Sequence, residues 1–251
     1  MPLSANTLFH FTKEKDTLKK ILEENFRIFN CKETITFGAD KTILHIPLVS
    51  FCDIPLSEVK DHMLTYGSYG IGMTKDWRMR KGLNPVLYVA QNSNLSISYK
   101  IAFNYFTKDP KNNARILDNL SLEQKALADV LRYIKNYEAD HIRENSTTPN
   151  YRFSDEREWR YVPPHSEACD MFRSEAWYAK PDNKDASDAK LVALRLNFEP
   201  NDIKYIIIND DSEIREFINY LKQVKGEKYT LHDVERLTTR ILTAEQIKGD
   251  M

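Results

Sequence analysis

The stretch Asp155-Glu156-Arg157-Glu158-Trp159-Arg160-Tyr161-Val162-Pro163 sets the terms for reading the rest of this chain. Its aromatic-rich run up to a proline reads as a strand from Glu156 to Pro163. Side chains on a strand alternate between faces, so Glu156, Glu158 and Arg160 share one face and Arg157, Trp159 and Tyr161 the other. Two carboxylates on one face repel, and an arginine beside them is expected on electrostatic grounds. Two readings fit this pattern. In one, the strand is a sheet edge laced by cross-strand ion pairs. In the other it lines a cleft, where the two acids titrate as a coupled pair and one stays neutral near neutral pH.

Working outward, Leu8 to Thr12 reads as a short strand, followed by a helix over Lys13 to Asn25 with Leu18, Ile21 and Leu22 at helical spacing. Further strands are expected at Ile46 to Cys52, Tyr69 to Thr74, Pro85 to Ala90, Leu191 to Phe198 and Lys204 to Ile208. Pro55 opens a short helix to about Tyr66, and helical periodicity covers Ser96 to Phe106, Leu122 to Tyr137 and Ser212 to Lys225. Ser121 with Gln124 makes a capping box for the helix at Leu122. The polar run Glu138 to Ser154, with its Asn-Ser-Thr-Thr-Pro-Asn core, reads as a loop just before the acids. Strands and helices mix without a βαβ rhythm, so the expected class is α+β with a mixed or antiparallel sheet, in one domain over residues 1–251.

Composition narrows the function. Lys and Arg total 36 and Asp and Glu 37, so the net charge of −1 describes no general polyanion binder. With only 7 glycines and neither G-x-G-x-x-G nor G-x-x-x-x-G-K-[ST], dinucleotide-binding dehydrogenases and P-loop NTPases are set aside. Cys31, Cys52 and Cys169 have neither disulfide nor metal spacing, and the histidines show no paired-ligand spacing, so no metal is expected. The start of the chain lacks a signal-peptide pattern and no apolar run is long enough for a bilayer, so a soluble cytoplasmic protein with no membrane contact is expected.

Three other places offer chemistry. His10 and Thr12, two apart on a strand, share a face and present hydrogen-bonding groups suited to a sugar hydroxyl or an amide, or His10 is a satisfied histidine at a sheet edge. Tyr66-Gly67-Ser68-Tyr69-Gly70-Ile71-Gly72 holds three of the glycines, which fits close approach of a ligand or of another strand. Cys52, in an apolar strand, reads as a core thiol. The basic segment Lys75 to Lys81 reads as a solvated helix face, with contact to nucleic acid or an NAD diphosphate as the other reading.

Together, Leu8-Phe9-His10-Phe11-Thr12, Val49-Ser50-Phe51-Cys52-Asp53-Ile54-Pro55, the stretch Tyr66 to Trp77, Asn84 to Ala90 and Glu156 to Pro163 resemble the AbiGi-type abortive phage-resistance family. The His-x-Thr opening and the late Glu-x-Glu also resemble the bacterial ADP-ribosyltransferase fold of the histidine–tyrosine–glutamate kind. That resemblance implies two small mixed or antiparallel sheets with flanking helices around an NAD cleft, and transfer of ADP-ribose from NAD. It implies that Glu158 holds the ribose 2′-hydroxyl and stabilises an oxocarbenium-like species, and that Glu156 orients or deprotonates the incoming nucleophile. His10, Thr12 and Ser50 would anchor NAD, and Tyr69, with Tyr66 second, would stack on nicotinamide. Ser50-Phe51-Cys52 stands where better-defined transferases carry Ser-Thr-Ser. The acceptor would be RNA, DNA or protein, met by Tyr151, Arg152 and Phe153. Two alternatives accompany this reading: a non-catalytic antitoxin of a two-gene pair, bound to a cognate partner protein, and an NAD glycohydrolase.

Overall fold

In the computed structural model, the structure describes residues 5–107, 120–143, 146–166 and 169–250. The chain opens with β1 (Thr7–Thr12) and α1 (Lys15–Glu24), whose Leu18, Ile21 and Leu22 form its buried stripe. Next come β2 (Phe26–Arg27), β3 (Phe29–Phe37) and β4 (Asp40–Cys52). β3 and β4 form a hairpin closed by two residues, with Gly38 at φ 61°, a left-handed conformation that glycine adopts without strain. α2 (Lys60–Tyr66), β5 (Tyr69–Thr74) and α3 (Lys75–Arg80) follow, then β6 (Asn84–Pro85), β7 (Leu87–Val89) and α4 (Asn94–Phe106). The second half runs through α5 (Leu122–Leu131), β8 (Ile134–Asn136), β9 (Glu138–Arg143), β10 (Ser146–Arg152), β11 (Glu158–Tyr161) and β12 (Arg173–Ser174). The remaining elements are α6 (Glu175–Tyr178), α7 (Pro181–Leu191), β13 (Arg195–Leu196), β14 (Ile203–Ile208), α8 (Ile214–Gly226), α9 (Leu231–Thr238), β15 (Ile241–Thr243) and α10 (Ala244–Asp250).

Among the described residues the main sheet has nine strands in the order β15-β14-β5-β1-β4-β11-β6, with β3 and β12 paired to the first part of β4. All its ladders are antiparallel except β14 with β15. β4 is long enough to serve two wings: Asp40 to Leu48 pair with β3, and Val49 to Cys52 pair with β11. β1 and β4 meet at one pair only, Phe9 with Cys52, and the sheet parts beside it. One core, around Leu8, Phe26, Phe51, Trp77, Phe198 and Phe217, fills the face covered by α1, α3 and α8. A second, with Phe9, Phe11, Cys52, Val59, Met63 and Ile247, lies on the opposite face beneath α2 and α10. A third joins β3 and β4 to α4 and α5 through Ile35, Ile46, Leu48, Phe103 and Leu131. The pairing fits the low glycine count: a Cβ at Gly70 would stand 2.8 Å from the Phe11 ring, and one at Gly72 2.8 Å from the Thr7 methyl. Close approach of β1 to β5, rather than of a ligand, explains these two glycines.

The structure departs from several of the sequence expectations. The helix starting at Leu122 carries the expected capping box but stops at Leu131, and residues 134–136 form a strand. Parallel pairing of β8 with β7, Leu87 opposite Ile134, outweighs the helical pattern there. The expected loop over 138–154 is a hairpin of β9 and β10 followed by a 3-10 turn at Phe153–Glu156, since threonine and tyrosine pair well across strands in spite of their polarity. The strand over 156–163 starts only at Glu158, because Arg157 takes φ 45°. The strand expected over 191–198 is two residues long, since α7 runs to Leu191. β3, unforeseen, is held by its hairpin partner.

Candidate functional site

The left-handed turn at Arg157 delivers β11 to β4 with Glu158 opposite Cys52 and Arg160 opposite Ser50. Cross-strand partners project to the same side, so Glu158, Cys52 and Phe9 share one face of the sheet. Arg160 is fully buried and Glu158 nearly so. The Arg160 Nε donates to Glu158 Oε1 at 2.7 Å, its Nη1 donates to the Arg132 carbonyl at 2.8 Å, and its Nη2 meets Glu33 at 2.9 Å. Lys135, on β8, donates to Glu158 at 2.7 Å and to Glu156 at 3.2 Å. The result is a continuous ionic chain, Glu156–Lys135–Glu158–Arg160–Glu33, of three carboxylates and two cations.

Glu156 closes this chain toward the surface. Its Oε1 accepts from the Tyr66 hydroxyl of α2 and, at 3.1 Å, from the Tyr151 hydroxyl of β10. Burial alone would raise the Glu158 carboxyl, but the Arg160 and Lys135 charges outweigh it and hold the group below the usual carboxylate range. Burial likewise disfavours the Lys135 and Arg160 cations, and the neighbouring carboxylates more than compensate, so both are held firmly charged. The Cys52 thiol borders the same space but is pushed up by burial and by Glu156, which leaves it protonated and unreactive.

Above this floor is a cleft of about 560 Å³. β3 and β4 form one wall, with Cys31 to Thr34, Leu48 and Ser50, and Ala139, Asp140 and His141 of β9 form the facing one. Aromatic groups gather at its sides. His62 stacks on Tyr66 at 4.3 Å, Tyr151 lies 4.7 Å from His141 and 5.0 Å from Phe153, and the Lys135 ammonium sits 4.9 Å from the Phe153 ring centre.

The structure brings together Glu156, Glu158, Tyr66, Ser50, Phe153 and His10 around this cleft. Tyr151 joins through its bond to Glu156. His10 does so in an unexpected way. Its ring lies on the other side of the sheet from Glu158, against Phe26 and Phe51, and fills the parting between β1 and β4. Its Nδ1 donates to the Ser50 carbonyl at 2.9 Å, and burial lowers its pKa, so the imidazole is neutral. Three expected residues are elsewhere. Thr12 is absent from the cleft wall and accepts from the Glu14 amide at 3.5 Å. Tyr69 donates to Glu213 at 2.9 Å beside Lys15 and is absent from the cleft lining. Arg152 is exposed and faces Asp155 at 3.9 Å. The basic segment becomes α3, with Trp77 fully buried, Arg78 stacked 4.0 Å over Trp159 and Arg80 paired with Asp202, all away from the cleft. Lys135 and Glu33 escaped the sequence reading. The alternation Ile134-Lys135-Asn136 was a usable signal for Lys135, hidden by the helical pattern before it.

Among the described residues no group of three histidine, cysteine, aspartate or glutamate side chains could hold a metal ion, and no helix is long and apolar enough to cross a membrane. A family model described as "Putative abortive phage resistance protein AbiGi, antitoxin" matches residues 15–209, from α1 to the end of β14, and so spans the whole ionic chain. The abortive phage resistance protein AbiGi of Lactococcus lactis subsp. cremoris is 26% identical over 226 residues, covering 82% of this chain and 89% of that protein. No solved structure matches. With the match extending over most of its length, the chain belongs to the AbiGi family of abortive phage resistance proteins.

Proposed function

We propose that this protein is the neutralising, non-catalytic half of an abortive-infection pair, and that its cleft binds a partner rather than turning over a substrate. One observation carries this reading: both carboxylates of the Glu-x-Glu pair are already satisfied, Glu158 by Arg160 and Lys135 and Glu156 by Lys135 and two tyrosine hydroxyls. An acid that stabilises an oxocarbenium ion has to offer its charge to the sugar, and a charge held by two buried cations does not. The antitoxin in the family's description agrees with this. The test is expression in bacteria, alone and with the growth-arresting protein of the same two-gene unit. Normal growth alone, no loss of NAD and relief of the arrest on co-expression are the expected results. Growth arrest by this chain alone would overturn the reading.

A second reading, transfer of ADP-ribose from NAD in the same cleft, is favoured by the meeting of Glu156, Glu158, Tyr66 and His10 there. Lys135 would have to leave Glu158 when NAD binds, and Tyr151 and Phe153 would then face a protein or nucleic-acid acceptor. With water as acceptor the same site would be an NAD glycohydrolase. Labelled NAD separates these: label on a macromolecule, or free ADP-ribose, lost in Glu158→Gln, would favour the enzyme.

A further inference from the structure

Among the described residues, no strand pairs with the outer edge of β3. At Thr36 the N–H donates to the Asn136 side chain at 2.7 Å and the carbonyl accepts from it at 2.9 Å, so both point away from β4. The β3–β4 register is unbroken from Phe29 to Phe37, and the two-residue repeat therefore turns the N–H and C=O of Thr34 and Lys32 the same way. Among the described residues no group takes these four. Asn136 thus ties β8 to the outer edge of β3 at Thr36, and on either side of this tie Cys31 to Thr34 of β3 and Ala139 to His141 of β9 line the same cleft.

We propose that this slot takes an extended segment of a partner polypeptide, added as a strand to the outer edge of β3, with a basic side chain directed at Asp140, the lining acid outside the satisfied ionic chain. The inference rests on the partner-binding reading above and names the partner's chemistry. Backbone pairing along an open edge supplies affinity, and side-chain pockets supply choice. The floor has three carboxylates against two cations, and on the walls Asp140 is set against Lys41 while Lys32 is paired with Glu175 at 2.8 Å, so the space keeps one acid in excess; Tyr66 and Phe153 flank it. That combination fits a guanidinium or ammonium group. A second copy of this chain does not fit, because β9 lines the same space and a strand already built into another sheet would bring that sheet with it.

The test uses the full chain against a yeast-displayed library of random short peptides. Enriched peptides should place Arg or Lys within an alternating β-branched stretch and lose about tenfold in affinity for Thr34→Pro. Proline at this position removes an outward N–H and keeps every bond to β4, and an unchanged circular dichroism melt checks the fold. Backbone N-methylation of an enriched peptide should weaken its binding to the unaltered protein similarly, which tests the pairing even if the proline variant fails to fold. No enrichment, acidic peptides, or binders indifferent to both changes would overturn the slot. Relief of growth arrest by the unaltered protein decides the antitoxin reading separately. If relief occurs and the peptides ignore β3, the slot falls and that reading stands. If the unaltered protein gives no relief, the antitoxin reading falls, and the peptides still judge the slot.

Discussion

The same three strands, β1, β4 and β11, build two unlike surfaces. On one face Leu8, Phe51 and Trp159 belong to an aromatic core closed by Trp77, Phe26 and Phe198. On the other, one residue along each strand, Phe9, Cys52 and Glu158 border an open cleft with a chain of buried charges beneath it. The aromatic face gains from non-directional burial and tolerates adjustment. The ionic face holds only as a set, because each charge was stripped of water in exchange for its neighbours. Stability therefore resides in both faces, while the charged groups of the cleft belong to the ionic one.

The comparison breaks most visibly where a single member is removed. Arg160→Met leaves Glu158 and Glu33 buried without their shared partner and should cost about 3–5 kcal/mol in chemical denaturation. Adding Glu158→Leu should cost far less than the sum of the two single changes, since the pair disappears together. Additive losses would mean that the chain is not a coupled unit. On the aromatic face Trp77→Ala should cost a similar 3–5 kcal/mol, but a second truncation distant from it should simply add, measured by the same denaturation series. Gly70→Ala sharpens the contrast at the seam between β1 and β5. Its Cβ would press on the Phe11 ring, and about 1–3 kcal/mol should be lost in thermal unfolding.

The smallest effect is in pH. The His10 imidazole is held below its ordinary 6.5, so below that pH the unfolded chain binds a proton that the folded chain refuses. Stability from this group is complete above about pH 6.5 and declines as pH falls, with a slope of at most about 1.4 kcal/mol per pH unit. His10→Phe should flatten that slope in unfolding curves taken between pH 6.5 and 5. Glu158 acts in the same direction at lower pH: its depressed carboxyl stabilises the fold above the ordinary 4.5, and this is lost on further acidification.

Much of the site was legible because the relevant signals were local. Alternation alone put Glu158 and Arg160 on one face, and the structure keeps them there, bonded at 2.7 Å. The same logic misplaced Glu156, which belongs to a 3-10 turn and reaches the cluster from outside the strand. It also led from β1 to His10 and Thr12 as a pair, whereas only His10 borders the cleft, through the parting of β1 from β4. Tyr66 and Tyr69 differ by three residues, yet one ends α2 at the cleft and the other starts β5 beside Glu213.

What the sequence by itself determined is the set of properties that depend on neighbours a few residues away: the strands at β1, β5 and β14, the stripe of α1, the capping box of α5 and the two-residue alternation of β11. The tertiary structure alone decided that Lys135 stands between acids 21 and 23 residues further on, that Glu33 completes the chain, and that the polar stretch before them folds as a hairpin wall. The reason is physical. Periodicity is a property of one strand, whereas a buried charge is admitted only where distant strands bring it a partner, and that register is set by the packing of the whole sheet.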